Sequence, residues 1–315
     1  MSSPYSLIRF LFFIMLIGVL VGGSFFYQNN KAEQKEVESE RILPKEEVKK
    51  HNSFFVDPSV VELIVSRAPN CLSDEVEPKL IKGGIANHHL LASELVSGFF
   101  CRVASRETKR VIVLAPNHFG LGGGWVIGGA NNWSIGEQEL FSDKEGMEKI
   151  ASFGAATIDD GIFTKEHGIV NLMPAVKHFF PEAKVVTLVI KEKIPTDRQE
   201  KLISALKEFS DDQTMIIASL DFSHDLSLEE ANAKDEQTLP ILSGLDYGKI
   251  SELNQSSEAS NVDSPATLNI FLRVMTDLGA TDFELLGRGN SALISGQLET
   301  RQTTSYFTAV YSLKK

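Results

Sequence analysis

The stretch from Val111 to His118 constrains the fold more than any other part of the chain. Five apolar residues, three of them β-branched, run directly into Pro116, Asn117 and His118. A continuous apolar run of this kind is typical of a strand buried on both faces in a parallel sheet. Pro116 has no N–H to donate, so the strand should stop there. Because ligands of open α/β sheets bind at the carboxyl ends of strands, His118 is predicted at a ligand-binding edge.

Length and charge narrow the class of protein. The 315 residues allow one large α/β domain with appendages or two small domains. The net charge of −11, without a long basic run, argues against nucleic acid as the main partner. Cys71 and Cys101 match no metal-binding spacing. They could pair in an oxidising compartment or remain two separate thiols, and the sequence leaves both open.

The amino-terminal segment predicts a membrane anchor. Residues 7–26 are almost wholly apolar, which is about the length that a helix needs to cross a bilayer of roughly 30 Å. Arg9 precedes most of the run, so we expect the chain to start in the cytoplasm and the rest to lie outside it. A cleaved signal peptide is the alternative. The predicted organisation is a transmembrane anchor over 1–27, a charged linker over 28–53 and a domain over 54–315.

Apolar patterns in the predicted domain alternate between the two periods of regular structure. Strands are expected over 80–86, 111–116, 155–158, 185–190, 215–220, 283–287 and 307–311, and helices over 60–67, 90–104, 143–153, 170–180, 197–209, 228–242 and 264–278. This alternation predicts an α/β fold with a mostly parallel central sheet flanked by helices. No phosphate-binding glycine motif follows a strand, so nucleotide binding has no support.

Histidines recur where the predicted strands end. His88, His118 and His224 follow three strands, and His167 precedes a helix, out of seven histidines in the chain. If the strands lie in one parallel sheet, the first three could converge at one edge. Imidazole is a good ligand for iron, zinc and copper, and two histidines with one carboxylate suit Fe(II). A turn or helix-cap role remains open for each histidine.

Five segments taken in order carry a resemblance. The chain resembles the Memo family, which includes protein B of the AmmeMemoRadiSam system and is similar in fold to the catalytic subunits of class III extradiol dioxygenases. The resemblance extends roughly over 54–313 and rests on Ile85-Ala86-Asn87-His88, Leu114-Ala115-Pro116-Asn117-His118, Glu166-His167, Leu220-Asp221-Phe222-Ser223-His224 and Gly289-Asn290-Ser291.

The resemblance implies a metal site held by His88 and His118. The family's third metal-site residue, a cysteine, falls on Asp263, followed by Ser264. A carboxylate there would restore a set of two histidines and one carboxylate, as in the dioxygenases. Such a set would bind a divalent transition metal, with Fe(II) favoured and copper or zinc as alternatives. Asp263 could instead be the N-cap of the following helix, since Pro265 stands near its start.

The remaining matched residues imply roles around that metal. His224 is expected to act as an acid or base, and Glu166 with His167 as acid/base or supporting groups. Asp221 is expected to hold the turn before His224 through a local bond. Asn290 and Ser291 are expected to cap a turn, with substrate binding as the alternative. Two tryptophans, Trp125 and Trp133, flank a glycine-rich loop and line either a pocket mouth or the loop's own anchor.

These observations leave three functions open. The first is a membrane-anchored, dioxygenase-like oxidoreductase acting on an unidentified small molecule. The second is a non-catalytic binding or scaffold module of the same fold, and the third is a metal-dependent hydrolase. The resemblance also implies partner proteins of an AmmeMemoRadiSam-like system.

Overall fold

The structure is a computed structural model that describes residues 53–66, 81–253 and 261–314. The predicted anchor over 1–27, nearly all of the charged linker and Cys71 lie outside these residues. Within the described ranges, no helix combines the length and the apolar character needed to cross a membrane.

The described chain contains twelve strands and nine α-helices. The strands are β1 (Ser53–Val56), β2 (Ile81–Ala86), β3 (Arg110–Pro116), β4 (Val126–Gly129), β5 (Asn132–Ile135), β6 (Gln138–Leu140), β7 (Thr157–Ile158), β8 (Lys184–Ile190), β9 (Thr214–Ser219), β10 (Phe222–Leu226), β11 (Asp282–Asn290) and β12 (Thr303–Ser312). The helices are α1 (Pro58–Ser66), α2 (Ser93–Val103), α3 (Lys144–Ser152), α4 (His167–Val170), α5 (Met173–Phe179), α6 (Thr196–Phe209), α7 (Leu228–Gly244), α8 (Pro265–Asp277) and α9 (Ser291–Ser295). Short 3₁₀ turns cover Leu90–Ala92, Asp160–Ile162 and Tyr247–Glu252.

A nine-stranded sheet forms the centre of the domain. Its order is β10-β12-β2-β9-β3-β8-β4-β7, and β11 pairs with β12. The four central strands, β2, β9, β3 and β8, are parallel. The pairings β12–β2, β10–β12, β11–β12 and β4–β8 are antiparallel, so the sheet is mixed rather than mostly parallel. The prediction of a central sheet flanked by helices is confirmed, but parallel pairing is limited to the four central strands and to the β4–β7 pair at one edge.

The central strand β3 has the double-sided burial that its sequence predicts. Ile112 and Leu114 pack in the core on one face of the sheet, and Val111 and Val113 pack in the core on the other. All four are fully buried. Burying an apolar side chain of this size stabilises a protein by about 1.5–3 kcal/mol relative to exposure, so this strand is a fixed base for the residues that follow it.

Two predictions of secondary structure need correction. The helix expected over 170–180 is divided into α4 and α5, because Pro174 is compatible with the first turn of a helix but not with its interior. His224 was expected beyond a strand end, but it lies inside β10. The small sheet of β1, β5 and β6 was not predicted, because strands of three or four residues give too short an alternation to detect.

The described cysteine has a partner. Cys101, which lies on α2, is disulfide-bonded. The chain has two cysteines.

Candidate metal site

The carboxyl ends of β2 and β3 bring two histidines together. His88 and His118 each lie two residues beyond the end of their strand. Their ring centroids are 5.0 Å apart and the rings are nearly perpendicular. Because β2 and β3 are both parallel to β9, which lies between them, their ends meet at one edge of the sheet. The convergence expected from the sequence is therefore present for this pair.

The carboxylate of Asp263 completes the cluster. Its Oδ2 lies 3.6 Å from Nε2 of His88 and 3.7 Å from Nε2 of His118. Its other oxygen, Oδ1, is buried without a hydrogen-bond partner. The N-cap of α8 is Ser264, whose side chain accepts from Thr267 N. The alternative interpretation of Asp263 as the helix cap is therefore wrong.

These separations suit a cation at the centre better than direct hydrogen bonds. Ligand atoms about 2.1 Å from a common ion lie about 3.0–3.4 Å from each other. The carboxylate oxygen of Asp263 is 3.6 Å and 3.7 Å from the two imidazole nitrogens, so closing around an ion requires a shift of a few tenths of an ångström. The unpartnered Oδ1 offers a further oxygen to the same ion. The donor set therefore fits a divalent transition metal.

Glu166 fixes the tautomer of the neutral His118 ring. Its Oε1 accepts from Nδ1 of His118 at 2.6 Å, and its Oε2 accepts from the backbone N of His118 at 3.0 Å. The same carboxylate caps α4 by accepting from Gly168 N. With its proton on Nδ1, the neutral His118 ring presents the lone pair of Nε2 towards Asp263. Glu166 thus caps α4 and also supports His118, the second of these being one of the roles that the sequence left open.

The hydroxyl group of Ser219 fixes the tautomer of the neutral His88 ring in the same way. Ser219 Oγ donates to the carbonyl of Gly168 at 2.5 Å, and it lies 3.1 Å from Nδ1 of His88. A serine hydroxyl has one hydrogen, so Ser219 must accept from the Nδ1–H of His88. The lone pair of Nε2 in His88 is left free on the side of Asp263.

Burial and charge shift the pKa values of the two imidazoles in opposite directions. Burial lowers the pKa of His88 to about 3, against the opposing charge of Asp263. Burial also acts to lower the pKa of His118, but hydrogen bonds and charge from Asp263 and Glu166 outweigh it and raise the pKa to about 9. Without a metal at neutral pH, His88 is neutral and His118 is protonated.

His167 lies within reach of the same centre. The nearest ligand nitrogens of His88, His118 and His167 all lie within 4.8 Å of one another. The ring of His167 is 4.1 Å from that of His118 between centroids, and its side chain is 44% exposed. Burial and the charge of His118 lower its pKa. The structure thus places a third imidazole at the open side of the site.

His224 lies near this group on a strained segment. The residues on either side, Ser223 and Asp225, have φ values of 42° and 57°, in the left-handed region. Each such non-glycine residue costs about 1–3 kcal/mol, and strain of this kind concentrates at functional sites. The Nε2 of His224 is buried without a hydrogen-bond partner, and Nδ1 lies 3.4 Å from Thr304 Oγ1.

Asp221 was assigned to a local turn, and this is wrong. Its Oδ1 accepts from the backbone N of His88 at 3.1 Å, and its Oδ2 lies 3.6 Å from Nε2 of the same residue. Burial raises the pKa of this carboxyl group. The backbone N of Asp263 donates to the carbonyl of Asp221 at 3.0 Å, and the backbone N of Asp221 donates to Oδ2 of Asp263 at 3.1 Å. Asp221 and Ser219 are the site residues that the sequence did not assign. The position of Asp221 after a buried strand indicates the edge of the sheet but not its contact with His88.

The other residues named from the sequence either support the fold or lie at the surface. Asn290 caps α9 by accepting from Ala292 N, as expected. Trp133 is fully buried against Phe54 and belongs to the core, whereas Trp125 is 43% exposed. The two tryptophans therefore do not share a role at the loop.

A mixed α/β domain with a cluster of histidines and carboxylates at the strand ends is the class of protein that this fold and site define. The family model of Memo-like proteins matches residues 79–310, and the chain belongs to this family. This confirms the family resemblance that the sequence motifs indicated.

The relatives are distant in sequence, but each match covers most of the relative's length. The MEMO1 family protein PAE0818 of Pyrobaculum aerophilum is 24% identical over 236 residues, which are 73% of this chain and 83% of the relative. The MEMO1 family protein MTH_45 of Methanothermobacter thermautotrophicus is 27% identical over 230 residues, which are 69% and 80% of the two chains. Among solved structures, uncharacterized protein JW3007 from Escherichia coli K12 has a TM-score of 0.48 at 11% identity, covering 73% of this chain and 99% of its own.

Proposed function

We propose that this chain binds a divalent transition metal through His88, His118 and Asp263, with Fe(II) favoured, and that the metal serves a dioxygenase-like oxidoreductase. The observation that carries the proposal is the orientation of the two imidazoles. Each has its Nδ1–H held by a buried partner, so both Nε2 atoms face Oδ2 of Asp263. A metal would bind the free Nε2 of His88 and replace the proton on Nε2 of His118. Two histidines and one carboxylate leave open positions on Fe(II).

The metal would supply Lewis-acid or redox chemistry at those open positions. Around it, Glu166 orients His118 through both carboxylate oxygens, so it acts as a positioning group. His167 lies half-exposed at the open side of the site. It can accept a proton from a bound small molecule or release one to it. His224 offers a second such group through its unpartnered Nε2.

A hydrolase is the second candidate, because His167 lies close enough to be a ligand. Three imidazoles and one carboxylate form a donor set that suits zinc, whose bound water is a nucleophile near neutral pH. The two candidates make different predictions for His167, since it is a proton-transfer group in the first and a ligand in the second.

Metal content of the full chain tests the site. The protein is purified without oxygen, reconstituted in turn with Fe(II), Cu(II) and Zn(II), and analysed for bound metal per chain. We expect one ion in the unaltered chain, and loss of that ion in His88→Ala and Asp263→Ala. His178→Ala, on the last turn of α5, is the matched control and should keep the ion.

The same measurement decides between the candidates. Retention of iron in His167→Ala supports the site of two histidines and one carboxylate, and its loss supports the site of three histidines. Full metal content in Asp263→Ala with an intact fold contradicts the proposal. If the unaltered chain holds no metal and the His88→Ala variant still binds partner proteins, the scaffold function is supported.

We infer further that residues 7–26 anchor the chain in a membrane and that the domain lies outside the cytoplasm. The apolar run and the position of Arg9 support this. The disulfide of Cys101 adds a second argument, because disulfides persist in oxidising compartments and are rare in the cytosol.

A further inference from the structure

Large apolar side chains are exposed around the mouth of the metal site. Seven of them are between 40% and 58% exposed, and they are called the rim: Leu91, Phe119, Leu121, Trp125, Leu293, Ile294 and Leu298. Single exposed apolar side chains are ordinary, but a group of them beside a site is typical of an interaction surface.

The topology explains why the rim lies at one edge. Leu91 follows β2. The loop after β3 carries Phe119, Leu121 and Trp125. The other members lie on α9 and in the loop to β12, after the end of β11. Because β2 and β11 both run antiparallel to β12, their carboxyl ends share an edge. The rim therefore surrounds the ends of the strands that carry His88 and His118.

Polar bonds hold the rim loop in its exposed position. The side chain of Asn117 bonds both backbone groups of Leu121, accepting from its N at 3.0 Å and donating to its carbonyl at 2.8 Å. Lys191 Nζ donates to the carbonyl of Gly122 at 2.5 Å. A loop fixed in this way keeps its apolar side chains in water although their burial would be favourable. On the other side, the cap at Asn290 fixes the start of α9.

We propose that the rim docks on the surface of the lipid bilayer in which residues 7–26 are anchored, with the metal site opening towards the lipid headgroups. The proposal rests on the membrane anchor proposed above. Exposed tryptophan, phenylalanine and leucine are the residues that enter the interfacial layer of a bilayer. The net charge of −11 gives no attraction to anionic lipid, so the docking depends on apolar burial and a zwitterionic bilayer suffices.

The linker permits this contact. Residues 28–52 span at most ~80–90 Å when fully extended, which is long enough for the domain to turn any face to the bilayer. The anchor keeps the domain at a high effective concentration near the surface, so a weak apolar rim is sufficient to orient it.

The test uses the full chain in phosphatidylcholine vesicles, with and without bromine on the acyl chains. The chain has two tryptophans, and Trp133 is fully buried in the protein core. Bromine quenches tryptophan emission at short range, so the wild type minus Trp125→Phe reports on Trp125 alone. We expect brominated vesicles to remove most of the Trp125 emission and to leave the Trp125→Phe variant unchanged.

Two further variants locate the contact. The double variant Leu293→Glu with Leu298→Glu places charge on the rim and should abolish the quenching of Trp125. Phe141→Glu is the control, because Phe141 is 52% exposed beside the amino end of β8, at the opposite edge of the sheet. It should leave the quenching unchanged.

The outcomes separate the proposals. If the chain floats with the vesicles but the emission difference between the wild type and Trp125→Phe is the same in both vesicle types, the docking is overturned and the anchor stays in place. Failure to float overturns both the anchor and the docking. Metal content measured on the same samples reports on the metal site independently of either result.

Discussion

At the scale of single residues, the proton on His118 is the one that a metal at the proposed site would have to displace. Its pKa of about 9 results from Asp263 and Glu166, which outweigh the effect of burial. A metal binds only the deprotonated nitrogen. Below pH 9, binding must therefore displace one proton, whereas His88, with a pKa of about 3, is already neutral.

This gives a pH dependence with a definite sign. We expect the apparent dissociation constant for Zn²⁺ to increase about tenfold for each unit by which the pH falls between 8.5 and 6.5, because one proton competes with the ion. Calorimetry in buffers of different ionisation enthalpy should show release of about one proton per ion bound at pH 7. A dissociation constant that does not change across this range would contradict the protonated state of His118.

The carboxylate behind His118 should determine metal affinity without touching the metal. Glu166→Gln keeps the size of the side chain but removes the charge that stabilises the Nδ1–H form of the ring. Loss of a partner of this kind costs about 10–100-fold in metal affinity, and this is the expected result. Glu182→Gln, on the exposed surface, is the matched control and should bind as the unaltered chain does. Both are measured by competition with a chelator.

The residues that could be predicted are those whose sequence neighbours define their place. His88 and His118 follow long apolar runs, so the strands themselves locate them. Asp221 and Ser219 could not be assigned, because their partner in each case, His88, is more than 130 positions away in the chain. Asp263 had two interpretations until Ser264 was found to hold the cap.

At the scale of elements, the predictable strands are those buried on both faces. β3, β8 and β9 are continuous apolar runs because helices cover both sides of the sheet. β10 was missed because its five residues contain Ser223, His224 and Asp225, whose polarity gives no strand period. Its irregular pairing with β12 comes from the left-handed residues around His224.

Two glycines on adjacent elements should respond to alanine in opposite directions. A Cβ on Gly84, in β2, would lie 2.5 Å from the carbonyl of Ala309 and 2.5 Å from a ring carbon of Phe99. Overpacking of this kind costs about 1–3 kcal/mol of unfolding free energy. Gly98, on the exposed side of α2, has no atom within 4 Å of that position.

Gly98→Ala should therefore stabilise the chain by about 0.5–1 kcal/mol, because alanine loses less backbone entropy in a helix than glycine. Chemical denaturation of both variants and the unaltered chain measures the difference. A Gly84→Ala variant as stable as Gly98→Ala would show that the close contact between β2 and β12 is wrong.

At the scale of the whole molecule, the alternation of strands and helices predicted the centre of the sheet but not its edges. The parallel strands are joined by helices that the apolar period shows clearly. The antiparallel edge of β10, β11 and β12 depends on where the last strands return, and the sequence carries no signal for their order. This edge carries His224 and three of the seven rim residues, Leu293, Ile294 and Leu298.

The location of the whole chain can be tested through its cysteines. If the domain lies outside the cytoplasm, the disulfide of Cys101 should be complete in the cell, because oxidising compartments maintain such bonds. The full chain is expressed in a bacterial host, denatured at lysis and treated with a maleimide that adds mass to free thiols. We expect no modification before reduction and two additions after it, since the chain has two cysteines. Cys71→Ser should gain one addition without reduction, and two additions to the unreduced wild type would place the domain in the reducing cytosol.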